Sequence, residues 1–379
     1  MSVLDPEQQA FAERAESVAE EFTDDAYTWR GDVPWENLRR LAEAELYCPS
    51  ISETYGGQGM SDLATMLLIE AVGRECPDTG WFVYTQCAVA PRAIDLFGSE
   101  AIKQRYLPDV AAGESYVSIA ISEPEAGSDV GGMETEVTEA DGQLVCNGTK
   151  TWVGGIPFAD AVVTWVRFPE GLGSVVLPVD DPSIEIEETY TNMAGYAQTR
   201  FSIDDIVVPE ENVLTRGEDG FKRQLVSLNW ERLGSSALTV AWAKAALEEA
   251  LSWAETREQF GQPIGEFQGI EWKLAEMYRR VETAAAIVYQ SAAGADGAAH
   301  APSRLATSVA KLHCSQIAEE VASEALQIVG ARAYQQGHPL EFLYRFARSR
   351  RIAAGTDEMQ LNTIARALKR DGVPGVSDR

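Results

Sequence analysis

The period of the apolar residues changes twice along the chain, and this constrains the architecture more tightly than any single motif. From residue 1 to about 115, runs such as "DPEQQAFAERAESVAEEF" and "PWENLRRLAEAEL" repeat apolar positions every three or four residues, the spacing of amphipathic helices. "SETYGGQGMSD" interrupts the pattern, and "SDLATMLLIEAVGREC" resumes it behind a Ser/Asp cap signal. "PRAIDLFGSEAIKQRYLPDVAAGE" reads as two short helices parted at Gly98. From about 116 to 215 the runs become short and rich in β-branched residues: "YVSIAIS", "QLVCNG", "AVVTWVRF", "GSVVLPV" and "TRFSIDDIVVP". A DG pair in "ADGQLV" and an NG pair in "CNGTK" are hairpin signals. Beyond about 218 long helices return, from Phe221 to Thr256, from Glu266 into the 290s, from the Gly/Ala-rich break "AAGADGAAHAP" to near Gly330, and over about 341–370. Phe267, Ile270, Leu274, Met277 and Val281 recur at bundle spacing. The expected fold is therefore mostly α with a central β domain: an N-terminal helical domain (1–115), a small β-barrel or sandwich (116–217) and an antiparallel four-helix bundle (218–379).

Composition narrows the partners. The 379 residues carry a formal net charge of −28, spread along the chain, which repels nucleic-acid phosphates and anionic lipid. No apolar run reaches the roughly 18–20 residues of a membrane span, and "MSVLDPEQQAFAERAE" has no basic-then-apolar leader pattern. The expectation is a cytoplasmic protein without nucleic-acid or membrane partners, from a salt-loving source whose salt screens the self-repulsion. Cys48, Cys76, Cys87, Cys146 and Cys314 form no CxxC pair and read as reduced, mostly buried thiols. His300, His313 and His338 lack metal-ligand spacing, so no metal site is expected.

Several chemistries are excluded by missing motifs. No GxGxxG follows a strand, and GxxxxGK[ST], HExxH and GxSxG do not occur. One candidate loop stands out, "AISEPEAGSDVGG" at 120–132, which places Ser122, Glu123, Ser128 and Asp129 among small residues after a strand. Small residues let a flat ligand approach the backbone, and free N–H groups with hydroxyls can bond a heteroaromatic edge or a phosphate. Taken alone, the loop could equally be a Gly-rich segment held by side-chain turns.

Read together with four other segments, it resembles the acyl-CoA dehydrogenase family along essentially the whole chain. "ISEPEAGSD" is similar to the family's first flavin-binding signature, and "NGTKTWV" to the segment leading to the tryptophan beside the flavin ring. "TREQFGQPIGEFQ" resembles its RxxFG…FQ segment, "ALQIVGARAY" its QxxGG loop, and "AAGTDEMQLNTIARAL" its C-terminal signature. The resemblance implies FAD, with the Ile119 and Ile121 backbone and the Ser122 hydroxyl at the pyrimidine edge, Ser128 at the pyrophosphate and Trp152 beside the isoalloxazine. It further implies that Arg257, Gln259 and Phe260, with Gln327 and Gly330, hold the adenosine diphosphate half of a neighbouring subunit's FAD. Thr356 and Glu358 would touch the cofactor near the bundle end. A homotetramer and an electron-transfer flavoprotein as electron acceptor go with the same resemblance.

The implied reaction is α,β-desaturation of an acyl-CoA thioester, which needs a base and a hydrogen-bonded enolate oxygen together. Many relatives place the base Glu directly before the "GT" of the C-terminal signature, where this chain has Ala354. Relatives resembling isovaleryl- and long-chain acyl-CoA dehydrogenases carry it on the first bundle helix, before an Arg. "LNWERLGSSA" supplies Glu231 followed by Arg232 at that place. On that reading Glu231 is the base, Arg232 is near substrate, and Ala354 contributes its backbone N–H. Three features depart from the family: Gly154 replaces the usual hydroxyl residue two positions after the tryptophan, Phe346 in "YRFARSRR" replaces the frequent acidic residue of "YRDAR", and Ala331 replaces the second Gly of the QxxGG loop. Glu231 as an ordinary helix-surface pair, Arg257 as a surface ion pair, a flavin oxidase or monooxygenase, and a catalytically silent assembly subunit are the competing readings.

Overall fold

The computed structural model describes residues 4–28, 32–295 and 301–374. The "GADGAAH" part of the expected helix break, including His300, falls largely outside them. The chain divides into two compact units, Met1–Glu231 and Arg232–Arg379, with the division inside one long helix.

The first unit opens with six helices, α1 (Pro6–Ala19), α2 (Trp35–Glu43), α3 (Asp62–Glu75), α4 (Pro77–Ala88), α5 (Ala90–Phe97) and α6 (Glu100–Ala111). Local signals set their ends. Asp5 and Gln8 form a reciprocal capping box at α1. The Ser99 hydroxyl caps α6 directly after Gly98, as the two-helix reading expects. α3 and α4 bury almost every residue and form the centre of this helical layer.

Eight strands follow: β1 (Val117–Ala120), β2 (Glu136–Ala140), β3 (Gln143–Gly154), β4 (Ala161–Phe168), β5 (Gly171–Pro178), β6 (Ile184–Thr191), β7 (Ala197–Val208) and β8 (Val213–Thr215). They make one sheet in the order β6-β7-β3-β2-β4-β5-β8, with β1 parallel to β4. The expected barrel is not closed. Its end strand β6, "IEIEETYT", presents Glu185, Glu187 and Glu188 along an exposed edge, and edge charge discourages further strand pairing. The same glutamates hide this strand in the sequence, since Glu is depleted in strands.

The DG signal is a true hairpin, with Asp141 and Gly142 both at positive φ between β2 and β3. The NG signal is not: β3 runs straight through Asn147 and Gly148, opposite a bulge in β7 where Asp204 and Asp205 face the single residue Asn147. Gly148 is needed there because a Cβ would lie 2.4 Å from the Thr135 hydroxyl oxygen. β1 is held by α4, whose buried Gln86 donates to Val117 O (3.2 Å) and accepts from Val117 N (2.9 Å), imitating a neighbouring strand.

The long helix α7 (Gly220–Thr256) leads into the second unit, followed by α8 (Gln268–Ala293), α9 (Arg304–Val329), α10 (Pro339–Arg350) and α11 (Asp357–Asp371). α9 packs against α8, α10 and α11. The single last helix expected over about 341–370 is two helices. Ala354 (φ +56°) and Gly355 (φ +87°) are both left-handed and end the right-handed run, and the Thr356 hydroxyl accepts from Met359 N to start α11. The simple four-helix bundle is corrected accordingly.

Candidate functional site

Three clusters contain most of the residues singled out above, one in the first unit and two in the second. In the first unit, β1 delivers Ile119 and Ile121, both half-buried, to the start of the candidate loop. The loop is pinned from beneath by a buried ion pair. Lys150 Nζ donates to Glu123 Oε1 (2.8 Å) and to Ile121 O (3.1 Å). The Glu123 carboxylate also accepts from Glu134 N (2.5 Å) and Thr135 N (2.9 Å). Burial pushes the Glu123 carboxyl upward, but the bonds from Glu134 N, Lys150 and Thr135 outweigh it and hold the acid below its usual range. Burial lowers Lys150. Ser122 accepts from Thr151 N through its carbonyl (3.0 Å), while Ser128 and Gly127 are exposed and a Cβ at Gly127 would meet nothing within 4 Å.

Trp152 sits at a bulge of β3 against β7, at φ +61° and 59% exposed. Tyr190 supports it by accepting its backbone N–H (3.1 Å) and packing edge-to-face, with the ring centroids 5.0 Å apart. Gln198 donates to its carbonyl (3.1 Å). A large aromatic held outward in a left-handed conformation is a strained arrangement of the kind that gathers at ligand sites. Gly154 gives its carbonyl to the Ser118 hydroxyl (2.6 Å) and otherwise faces open space, the nearest atom to an added Cβ being Tyr196 Cε2 at 3.9 Å.

In the second unit, Arg257, Gln259 and Phe260 lie on the hairpin between α7 and α8. Gln259 pairs with Gln262 around Phe260 (φ +54°) and Gly261 (φ +84°), the double left-handed turn of a tight hairpin. Phe260 is thereby presented 96% exposed. The Arg257 guanidinium lies 5.8 Å above the Trp253 ring and Arg332 lies 5.1 Å from the same ring, contacts typical of cation–π pairs. Trp253 thus joins the "TREQFG" segment to the segment after Gly330. Gln327 is exposed on the last turn of α9, and Gly330 (φ +77°) closes that helix.

The third cluster is the turn between α10 and α11. Arg232, 7% exposed, donates from Nε to Ala354 O (2.9 Å). Lys311 Nζ (2.8 Å) and Gln360 Nε2 (2.9 Å) both donate to Gly355 O. Arg351 holds Asp357 (2.7 Å) and Glu319 (2.9 Å). The exposed Glu358 carboxyl is lowered by its own backbone N–H and the Thr356 hydroxyl. Burial pushes Lys311 down to about 7, with Asp357 opposing and Arg350, Arg232 and Arg351 assisting. Glu231, the last residue of the first unit, lies outside these clusters; it precedes Arg232 on α7 and is half-buried. The indole of Trp230 beside it is buried, with the Arg92 guanidinium 5.3 Å from its ring.

Of eight non-glycine residues at positive φ among those described, three are Trp152, Phe260 and Ala354. Lys150, Tyr190, Trp253, Lys311 and Gln360 escaped the sequence reading. Two left a trace there. Lys150 shares the inward parity of Cys146 on β3, and Lys311 lies on the buried stripe of α9 with Thr307, Cys314 and Ala318.

A helical layer, an open sheet carrying a small-residue loop with an outward tryptophan, and a helical unit with a strained turn are the parts that the resemblance to a flavin-using oxidoreductase family implies. Comparison with known proteins narrows the class. Models of the acyl-CoA dehydrogenase N-terminal, middle and C-terminal domains match residues 5–114, 118–206 and 218–369. A probable acyl-CoA dehydrogenase of Bacillus subtilis, YngJ, is 32% identical over 346 residues, covering 89% of this chain and 90% of its own. The CarC subunit of the caffeyl-CoA reductase–Etf complex of Acetobacterium woodii is 29% identical, covering 89% and 90%. Butyryl-CoA dehydrogenase from Megasphaera elsdenii superposes with a TM-score of 0.89 at 27% identity, covering 98% of this chain and all of its own. The chain belongs to the acyl-CoA dehydrogenase family and is an oxidoreductase acting on acyl-CoA with FAD as cofactor. The residues present fit that cofactor. Trp152 and Phe260 offer exposed aromatic faces, Arg257 offers a cation, and the loop at Gly127 leaves its backbone open. No described helix is long and apolar enough to cross a membrane, and no described group of His, Cys, Asp and Glu could hold a metal ion.

Proposed function

We propose that the chain catalyses α,β-dehydrogenation of an acyl-CoA thioester, with Glu231 as the base that removes the α-proton. FAD supplies the acceptor for the β-hydride. The protein's own part is threefold: Glu231 takes the proton, the N–H groups from Ala354 onward hold the thioester oxygen as charge develops, and Trp152 and the 122–128 loop position the flat ring. Arg232 is assigned to holding the turn and bordering the substrate. One observation carries this reading: the residue next to Glu231 on α7 is hydrogen-bonded to the carbonyl of Ala354. A base on α7 would make a side chain without a carboxylate at 354 compatible with activity.

Ser128, Arg257, Gln259, Phe260, Gln327, Gly330, Thr356 and Glu358 complete the proposed cofactor contacts, with the adenosine half shared between copies of the chain. The exposure of Phe260 and Arg257 supports such sharing and a homotetramer. An electron-transfer flavoprotein is the proposed acceptor of the electrons. The naming of the CarC relative as part of an Etf complex supports it. The net charge of −28 supports a salt-rich cytoplasm as the working environment.

Glu231→Gln tests the assignment. Anaerobic mixing with a panel of acyl-CoAs is expected to bleach the flavin of the parent protein and leave that of the variant yellow and bound. Bleaching of the variant at the parent rate would remove Glu231 from the role. Gly154, which offers no hydroxyl near Trp152, favours one second reading, a flavin oxidase. Peroxide formed in air in proportion to substrate consumed would establish it.

A further inference from the structure

Lys311 lies outside every motif of the sequence, yet its side chain is 1% exposed and ends on the turn between α10 and α11. Its Nζ donates to Gly355 O at 2.8 Å and lies 4.0 Å from Asp357 Oδ1. Gln360 shares the same carbonyl, and Arg232 holds the preceding one, Ala354 O. A trans peptide is planar, so its C=O and N–H point in opposite directions. Anchoring the Ala354 and Gly355 carbonyls to these side chains therefore turns the N–H groups of Gly355 and Thr356 away from them. Ala354 is itself left-handed (φ +56°), and in backbone of that kind successive N–H groups line one concave side, a shape that suits anions. None of the three N–H groups, at Ala354, Gly355 and Thr356, makes a well-formed hydrogen bond to a backbone acceptor among the described residues, the Gly355 N–H closing only a loose turn over 351–354. Glycine at 355 lets the donors close in, since a Cβ there would lie 3.0 Å from both Arg232 Nη2 and Gln360 Nε2.

The groups facing Lys311 are Asp357 on α11, Arg350 on α10, Arg351 in the turn and Arg232 on α7. Cations outnumber carboxylates, and Asp357 is already bonded to Arg351. Burial and these arginines bring Lys311 down to about 7, so the charge on this anchor changes near neutrality.

We propose that Lys311 is a positioning residue of the reaction: its ammonium anchors the Gly355 carbonyl, and so holds the Ala354–Thr356 row of N–H groups for the thioester oxygen and backs it with positive charge. The proposal rests on the function inferred above, in which that row receives the oxygen. A charge-assisted bond is shorter and stronger than a neutral one. The row is thus best held and most positive when Lys311 is protonated. The help is greatest for a negatively charged oxygen, so it acts on the transition state more than on bound substrate.

The test uses the FAD-loaded protein and two variants, Lys311→Met and Lys311→Arg. Anaerobic flavin reduction by an acyl-CoA is followed across the neutral pH range. In the parent protein the rate is expected to fall as pH rises through about 7. Arginine stays charged, so Lys311→Arg is expected to keep at least about a third of the rate and lose this falling limb. Lys311→Met is expected to lose the limb and at least about tenfold in maximal rate, with KM changed less than about twofold. A readout independent of turnover is the affinity for acetoacetyl-CoA, an acidic thioester that can bind as its enolate, against that for CoA alone. Lys311→Met is expected to weaken the first at least about tenfold and leave the second unchanged. A parent-like limb in the variants, unchanged acetoacetyl-CoA affinity, or equal loss of both ligands overturns the proposal. If Lys311→Met does not fold, the pH profile of Lys311→Arg decides alone. A parent protein that is not reduced by any acyl-CoA and binds no acetoacetyl-CoA overturns the functional reading itself, and this inference with it.

Discussion

The Nε–H of Arg232 donates to the carbonyl oxygen of Ala354 at 2.9 Å, joining residues 122 positions apart in the chain. The bond holds a non-glycine residue in the left-handed region, which alone costs roughly 1–2 kcal/mol. Two substitutions separate the bond from the strain. Arg232→Ala removes a charged donor from a half-buried carbonyl and is expected to lower stability by about 1.5–3 kcal/mol, with a fall in flavin-reduction rate. Ala354→Gly relieves the strain, keeps the N–H and is expected to raise stability by up to about 1 kcal/mol. Chemical denaturation of both variants checks the pair. A destabilising Ala354→Gly would mean that the alanine methyl contributes packing that outweighs the strain.

Lys311 makes stability depend on pH in a definite direction. Its proton is held less tightly in the folded protein, at about 7 against an ordinary value of 10.5. Between those values the unfolded chain binds the extra proton, so the folded state gains stability as pH rises from about 7 towards 10.5. Below 7 both states are protonated and the slope vanishes. The full gain is on the order of 5 kcal/mol, since a tenfold change in proton affinity corresponds to about 1.4 kcal/mol. The difference in unfolding free energy between the parent and Lys311→Met is expected to grow in the parent's favour over that window. A difference that stays flat would mean that Lys311 titrates near its ordinary value.

Much of the fold was legible in the sequence because the signals were local. The period change of the apolar residues marks the β region and the DG hairpin has its turn, while Ala354, Trp152 and Phe260, which only the family resemblance singles out, fall on left-handed positions. Less legible were features set by partners distant in the chain. Lys150 and Glu123 are 27 residues apart and Lys311 and Gly355 are 44 apart; spacing along one element says nothing of such pairs. The NG pair misled for a related reason. Asn147 and Gly148 are turn residues by type, but the strand continues through them, and the glycine is there because Thr135 lies too close for a Cβ. Likewise the last helix looked unbroken because Ala353 and Ala354 favour helix intrinsically, while three side-chain donors drawn from α7, α9 and α11 hold the left-handed turn.

The Lys150–Glu123 pair beneath the 122–129 loop should behave as a unit. Lys150 is fully buried and Glu123 nearly so, and removing one partner of such a pair leaves an uncompensated charge, at a cost of about 3–5 kcal/mol. Lys150→Met is expected to lower the thermal midpoint and release flavin on gel filtration. The double variant Lys150→Met, Glu123→Gln removes both charges and keeps an acceptor for one backbone N–H, so part of the loss is expected to return. A double variant no better than Lys150→Met would show that the lysine acts through its bond to Ile121 O rather than through charge.

Gly154 can be filled. A Cβ there meets only Tyr196 Cε2, at 3.9 Å, and replacing glycine in a strand interior removes an entropic penalty. Gly154→Ser is therefore expected to leave stability within about 0.5 kcal/mol of the parent. If the missing hydroxyl limits hydride transfer, the variant should reduce flavin faster with acyl-CoA, while KM moves little. An unchanged rate would assign the slow step elsewhere. A loss of about 1–3 kcal/mol would point to overpacking against Tyr196.

Salt tests the remaining feature, the charge. With 59 acidic against 31 basic side chains, repulsion between like charges outweighs attraction at long range, and screening relieves it. Surface ion pairs such as Arg40–Glu21 and Lys222–Asp219 weaken in salt, but pairs as exposed as these contribute little to stability. The buried pair Lys150–Glu123 is screened less. The net expectation is a thermal midpoint that climbs steeply at low KCl and flattens near about 1 M, where the screening length is only about 3 Å. Potassium sulfate compared at equal ionic strength separates screening from exclusion of salt from the protein surface: screening gives coincident curves, exclusion a higher sulfate curve that continues to rise. A midpoint that is flat or falls with KCl would mean that the acids are spaced widely enough not to repel, and the case for a salt-adapted protein would end there.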